Sequence, residues 1–159
     1  MASDQWNSDF LDLIDTFAGE GGEYVVVGAF ALAQHGLPRA TGAINFLIRP
    51  SEKNALRVYR ALTRFGAMLS AASVTPADFT QPGTVYQIVV VPRRIDILTQ
   101  LSGVTFDEAW ASRIERVVDD RAVPFIGLQA LLKNKRATGR AKDAVDADAL
   151  ERLHRTLPG

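Results

Sequence analysis

The chain has 159 residues, 47% of them hydrophobic, with 18 lysines and arginines set against 18 aspartates and glutamates and no cysteine. That length fits one compact domain with a core of its own, and the apolar content excludes wholesale disorder. Neutral balance excludes a global attraction to nucleic acid, and the missing cysteines exclude a disulfide scaffold, a thiolate zinc site and a cysteine nucleophile. The longest apolar runs, Tyr24–Val27 and residues 88–91, are too short to span a bilayer. The acidic start, with Asp4, Asp9 and Asp12, is unlike a signal peptide. The expectation is a soluble cytoplasmic protein with no membrane contact.

Phe10, Leu11, Leu13, Ile14 and Phe17 recur at helical spacing, which predicts a helix over about 6–18, stopped by the glycines at 19, 21 and 22. Tyr24–Val27 reads as a short buried strand ended by Gly28, and a helix over 29–34 follows at once. Residues 35–42 hold two glycines and a proline and read as a loop. A second strand covers 43–48. Ser51 then caps a helix running to Phe65, with Ala55, Val58, Tyr59, Leu62 and Phe65 as its apolar stripe and Gly66 as its end.

Thr75-Pro76 has the form of a cap and first position of a short helix. Strands over 84–91 and 94–98 are joined through Pro92-Arg93 as a hairpin. Thr105 and Glu108 have capping-box spacing and start a short helix through Trp110. Strands over 114–118 and 122–126 flank Asp119-Asp120 in a second hairpin, in which Pro124 favours an edge position. From Gly127 to about 157 the chain reads as helical, broken near Thr138-Gly139. Interleaved helices and strands with no repeat or linker predict an α/β (α+β) fold: a mixed β-sheet flanked by helices, with a helical C-terminus, in a single domain over 1–159.

Three places carry chemistry. The strand–Gly28–helix junction lets the backbone approach a ligand and offers a helix N-terminus to phosphate, although a glycine there is often only a turn. In the strand Ala43-Ile-Asn-Phe-Leu-Ile48, period two puts Ala43, Asn45 and Leu47 on one face, and Asn45 interrupts an apolar run. Asp96 does the same between Ile95 and Ile97; it is either paired with a cation such as Arg93 or Arg94, metal-bound, or at a cleft. The third place is the segment 133–142, where five cations fall within ten residues without an acid, followed by Asp143 and Asp146. It suits phosphate or a nucleic-acid backbone, or else a solvated helix face with pairs such as Lys142 with Asp146.

Taken in order, Val26-Val-Gly-Ala-Phe-Ala-Leu-Ala-Gln-His-Gly36, Pro38-Arg-Ala-Thr41, the strand at 43–48, Arg94-Ile-Asp-Ile-Leu98 and the stretch from Lys135 to Asp146 resemble the nucleotidyltransferase-like proteins related to the AbiEii toxins of bacterial type IV toxin–antitoxin systems. The resemblance covers about residues 22–150. It implies a nucleotidyltransferase-like sheet, a Gly-Gly or Gly-Ser turn holding nucleotide phosphates, and three aspartates holding two magnesium ions. Two such ions roughly 4 Å apart stabilise the attacking and leaving oxygens together. Here the turn is Gly28-Ala29, and the first two aspartate positions carry Ala43 and Asn45, so Asp96 remains as the catalytic and metal carboxylate with Asn45 as a poor second ligand. Gly28, Ala29, Arg39, Thr41, Lys135, Arg140 and Lys142 take the nucleotide- or phosphate-binding positions, supported by Asp143 and Asp146.

The resemblance therefore implies impaired or lost metal-dependent nucleotidyl transfer with nucleotide or phosphate binding retained. NTP, an RNA acceptor such as tRNA or a protein acceptor, and an antitoxin are the implied partners. Other readings stand beside it: an active enzyme that recruits Glu23, Asp78, Asp143 or Asp146 as ligands; a nucleotidyltransferase toxin inactivated by engineering at 43 and 45; and a non-catalytic protein-interaction module. His35 lies in the loop beside the site, and His154 reads as solvated. Trp6, Trp110, Tyr24 and Tyr86 read as packing residues.

Overall fold

The computed structural model describes residues 6–155. Asp4 and residues 156–157 of the expected C-terminal helix lie outside the described residues. A six-stranded mixed sheet forms the centre, in the order β3-β4-β2-β1-β6-β5.

The first helix, α1 (Ser8–Glu20), begins where the Asn7 side chain accepts from the Phe10 N–H, and ends at Gly21 in the left-handed region. The stop therefore falls later than expected, with Gly19 inside the helix. Strand β1 (Tyr24–Val27) is wholly buried, and α2 (Ala29–Gln34) follows after the single residue Gly28. Strand β2 (Ala43–Ile48) leads to α3 (Glu52–Phe65), capped by Ser51 and closed by Gly66. One turn of 3-10 helix at Pro76–Thr80 is held by a Thr75–Asp78 capping box. Strands β3 (Val85–Val90) and β4 (Arg93–Leu98) form the first hairpin. Helix α4 (Phe106–Ser112) starts with the Thr105–Glu108 capping box, and β5 (Ile114–Val118) and β6 (Arg121–Phe125) form the second hairpin. Helices α5 (Leu128–Ala137) and α6 (Ala141–Arg155) complete the chain. No described helix is long and apolar enough to cross a membrane.

Alternation along β2 sorts its side chains. Ile44, Phe46 and Ile48 are fully buried on one face, where the Phe46 ring meets Phe17 and Tyr24 at centroid distances of 5.5 and 5.3 Å. That face packs beneath α1 and α3, which supply Phe10, Leu13, Phe17, Val58 and Leu62. Ala43 and Asn45 take the opposite face and are half-buried.

Pro124 departs from its expected edge position. β6 lies inside the sheet and β5 is the edge. The proline is tolerated because the β1–β6 ladder is local: the strands pair at Val26↔Phe125, and the Ile126 N–H donates to the Val26 carbonyl at 3.0 Å. Two residues earlier Tyr24 and Pro124 line a cleft of about 340 Å³ between α1, β1 and β6. The missing N–H of Pro124 thus falls where the two strands have already parted.

Candidate functional site

The parallel register of β2 and β4 sets Asn45 beside Asp96 and Ala43 beside Arg94. Period-two alternation then puts all four side chains on one face of the sheet. Asp96, Ala43 and Asn45, the residues singled out in the sequence, are therefore neighbours in space. Asp96 is 7% exposed, and its carboxylate is not open. The Arg94 Nε donates to Oδ1 at 2.8 Å and a second guanidinium nitrogen donates to Oδ2 at 3.2 Å, a two-pronged grip from the same strand. The hydrogen bonds from Arg94 to Asp96 also hold the guanidinium above its ordinary pKa, so it stays charged.

This donor set does not fit magnesium. Magnesium asks for several hard oxygens at octahedral positions. Ala43 offers none, Asn45 offers one neutral carbonyl oxygen, and both Asp96 oxygens are already bonded to Arg94. Among the described residues no group of three or more histidine, aspartate or glutamate side chains is placed to hold a metal ion. The four acids named as alternative ligands are engaged elsewhere. Glu23 pairs with Arg49 at 2.7 Å and Asp78 caps the Thr75 N–H at 2.8 Å. Asp143 accepts from Thr138 Oγ1 at 2.7 Å and pairs with Arg140 at 2.9 Å and Lys135 at 3.3 Å, and Asp146 binds Arg39.

Gly28 is fixed by two separate demands. Its φ of 72° and ψ of −148° suit glycine alone, and a Cβ there would sit 2.7 Å from the Asn45 amide nitrogen. The turn and the strand thus touch through Asn45, whose Oδ1 is buried with no hydrogen-bond partner among the described residues. A buried amide oxygen without a donor is a costly arrangement, and in this fold it lies between the turn and Asp96. Ala29 opens α2 directly after the turn.

The loop after α2 joins the sheet to α6. Arg39 donates from Nε and from a terminal nitrogen to Asp146 Oδ1 at 3.0 and 2.9 Å. The Thr41 hydroxyl accepts from the Ala43 N–H at 3.1 Å, anchoring the start of β2. The expected Lys142–Asp146 pair is replaced by this Arg39–Asp146 pair, since Asp146 is 3% exposed and faces inward while Lys142 is exposed. The basic segment is internally compensated in the same way, with Lys135 and Arg140 both on Asp143. Burial alone would push the Asp143 carboxyl up. The Thr138 hydroxyl and the Lys135 and Arg140 charges outweigh it, and the net direction is down.

Both histidines hydrogen-bond to backbone carbonyls. The His35 Nε2–H donates to the Ile126 carbonyl at 2.8 Å, and the ring is buried. His154 is not solvated as expected: its Nε2–H donates to the His35 carbonyl at 2.6 Å, with the two rings 6.1 Å apart. Trp6 packs in the core at 4% exposure, and Trp110 stacks on Phe106 and carries the Arg113 guanidinium over its ring. Of the two cations the sequence offered as partners for Asp96, Arg93 and Arg94, the structure shows Arg94 bonded to both carboxylate oxygens. Its signal was present, since a residue two before Asp96 on a strand must share its face.

No family model matches this chain, and no curated protein matches it. Among solved structures it is similar to the crystal structure of a putative nucleotidyltransferase from Thermotoga maritima, with a TM-score of 0.56 and 12% sequence identity over 92% of this chain and 91% of that one. The likeness is one of fold. The sheet, its flanking helices and the helical C-terminus have a nucleotidyltransferase-like architecture.

Proposed function

We propose that this chain is a nucleotidyltransferase-fold protein of the AbiEii-like kind that binds nucleotide phosphates without efficient metal-dependent transfer. The observation that carries the reading is the Arg94–Asp96 ion pair lying beside Ala43 and Asn45. Nucleotidyl transfer needs positive charge that can move onto the reacting phosphate and its leaving group. Here the one carboxylate in place is neutralised by a tethered guanidinium, so the charge that would recruit divalent ions is spent inside the protein. The Gly28-Ala29 turn and the orphaned Asn45 oxygen supply what is left for a ligand: backbone N–H groups at the start of α2 and one amide that can turn toward a phosphate or a base. On this reading the protein is cytoplasmic, and an RNA such as tRNA, or a partner protein such as an antitoxin, is recognised rather than modified.

Calorimetry with each of the four NTPs, with and without magnesium, tests this. Binding at micromolar to millimolar strength that is unchanged by magnesium is expected. Nucleotide transfer to RNA or protein at an ordinary enzyme rate, about 1 s⁻¹ or more, would overturn the loss of catalysis. Absence of binding to all four would leave the interaction scaffold as the function.

A further inference from the structure

The two edges of the sheet are built differently. On the outer strand β5, the exposed residues Glu115 and Arg116 sit beside Val117, and the Asp119-Asp120 turn follows. Such charges are the usual guard against edge-to-edge pairing. On the opposite edge, Thr84-Val-Tyr-Gln-Ile-Val-Val-Val91 carries no charge. Val85, Val89 and Val91 are 56%, 70% and 85% exposed there.

The backbone of β3 is equally open. The Thr99 N–H donates to the Thr84 carbonyl at 3.1 Å, which directs the backbone groups of Thr84, Tyr86, Ile88 and Val90 toward β4. The N–H and C=O groups of Val85, Gln87 and Val89 therefore point away from the sheet.

We propose that β3 pairs with β3 of a second copy of this chain, antiparallel, about a two-fold axis at Gln87. This register is self-complementary on both faces. On one, Val85 meets Val89 of the other copy and Gln87 meets its own equivalent; on the other, Tyr86 meets Ile88, an aromatic–β-branched pair of the favourable kind. Val91 falls opposite Gly83, which has no side chain to obstruct it. The outward groups of Val85, Gln87 and Val89 bond to those of Val89, Gln87 and Val85, giving three reciprocal pairs. No charge on the strand opposes its copy. A six-residue strand buries an area at the low end of specific interfaces, below about 1,200 Å² in total, so the dimer is reversible and concentration-dependent. The two joined sheets place the row Asn45–Asp96–Gln87 of each copy on one continuous face. Five strand spacings of about 4.8 Å put the two Asn45 positions about 24 Å apart.

Sedimentation velocity from 1 μM to 1 mM reads the equilibrium. A monomer–dimer transition is expected within that range. Gln87→Pro removes an N–H that no described residue of the monomer accepts from, and Val85→Lys, whose neighbour on β4 is the uncharged Leu98, places like charges on both sides of the axis; each should weaken dimerisation at least tenfold while leaving the far-UV spectrum and Tm of the monomer in place. The absence of native cysteine allows a second readout. The chain with Gln87→Cys should form a disulfide-linked dimer on mild oxidation, since facing residues in a hydrogen-bonded antiparallel pair lie about 5.5 Å apart. The Val117→Cys control on β5 should not. A chain monomeric at 1 mM, a dimer indifferent to both β3 substitutions, or crosslinking that favours position 117 would each overturn the proposal.

Discussion

Arg94 is the residue on which the candidate site turns. Placing carboxylates at 43 and 45 is the direct way to build a metal centre beside Asp96, yet Ala43 is directly beside Arg94 in the register. A new aspartate there would meet a guanidinium before it met an ion. The guanidinium would repel a divalent ion placed beside it. The double variant Ala43→Asp/Asn45→Asp is therefore expected to stay silent in a manganese titration followed by paramagnetic broadening. Adding Arg94→Gln should bring manganese affinity into the millimolar range or tighter, at least tenfold above the double variant. Equal affinity in the double and triple variants would remove Arg94 from the explanation. The adjacency of 45 and 96 followed from the family resemblance in the sequence, but the bond between 94 and 96 needed only the period of a strand.

Helices α5 and α6 show the limits of composition. The five cations of 133–142 suit either a surface for phosphate or a solvated helix face with its own ion pairs, and charge counting does not reveal which acids face them. Helical spacing does: Asp143, Asp146, Ala147 and Leu150 recur at the interval of one helix face, and all four are buried. The two aspartates are thus part of the packing surface, and they take Lys135, Arg140 and Arg39 as counter-ions. Lys135 is itself largely buried. Asp143→Asn should destabilise the fold by about 3 kcal/mol in a urea titration, because it leaves a buried ammonium without its partner. The pH dependence has a definite sign. The folded carboxyl lies below its unfolded value, so its contribution is complete above about pH 4 and is lost as the pH falls further through the folded value. The Asn variant should lose that acid limb of the stability curve. Pro124 marks the complementary failure: its local signal says edge, while its place inside the sheet depends on β1 and β6 meeting at Val26 and Phe125, far apart in the chain.

Across the whole molecule, one buried ring ties three parts together. His35 closes α2, donates to the end of β6 at Ile126, and gives its own carbonyl to His154 on α6. Burial pushes the His35 pKa down, as do the nearby His154 and Arg116, against the Ile126 carbonyl, which pulls it up. The unfolded ring takes a proton near pH 6.5 while the folded ring resists, so stability is full above that pH and declines as the pH falls below it toward the folded value. Thermal melts between pH 7.5 and 5 should show Tm falling below about pH 6.5, and His35→Gln should flatten that slope while lowering Tm overall. An unchanged slope would assign the decline to other groups.

The unequal edges of the sheet also set how far assembly can go. In the language of step growth, a unit with two reactive ends makes chains, and a unit with one makes pairs and stops. The bare strand Val85–Val90 is the single reactive end, and the charges on Ile114–Val118 cap the other. Removing Glu115 and Arg116 would convert a self-limiting unit into one able to propagate.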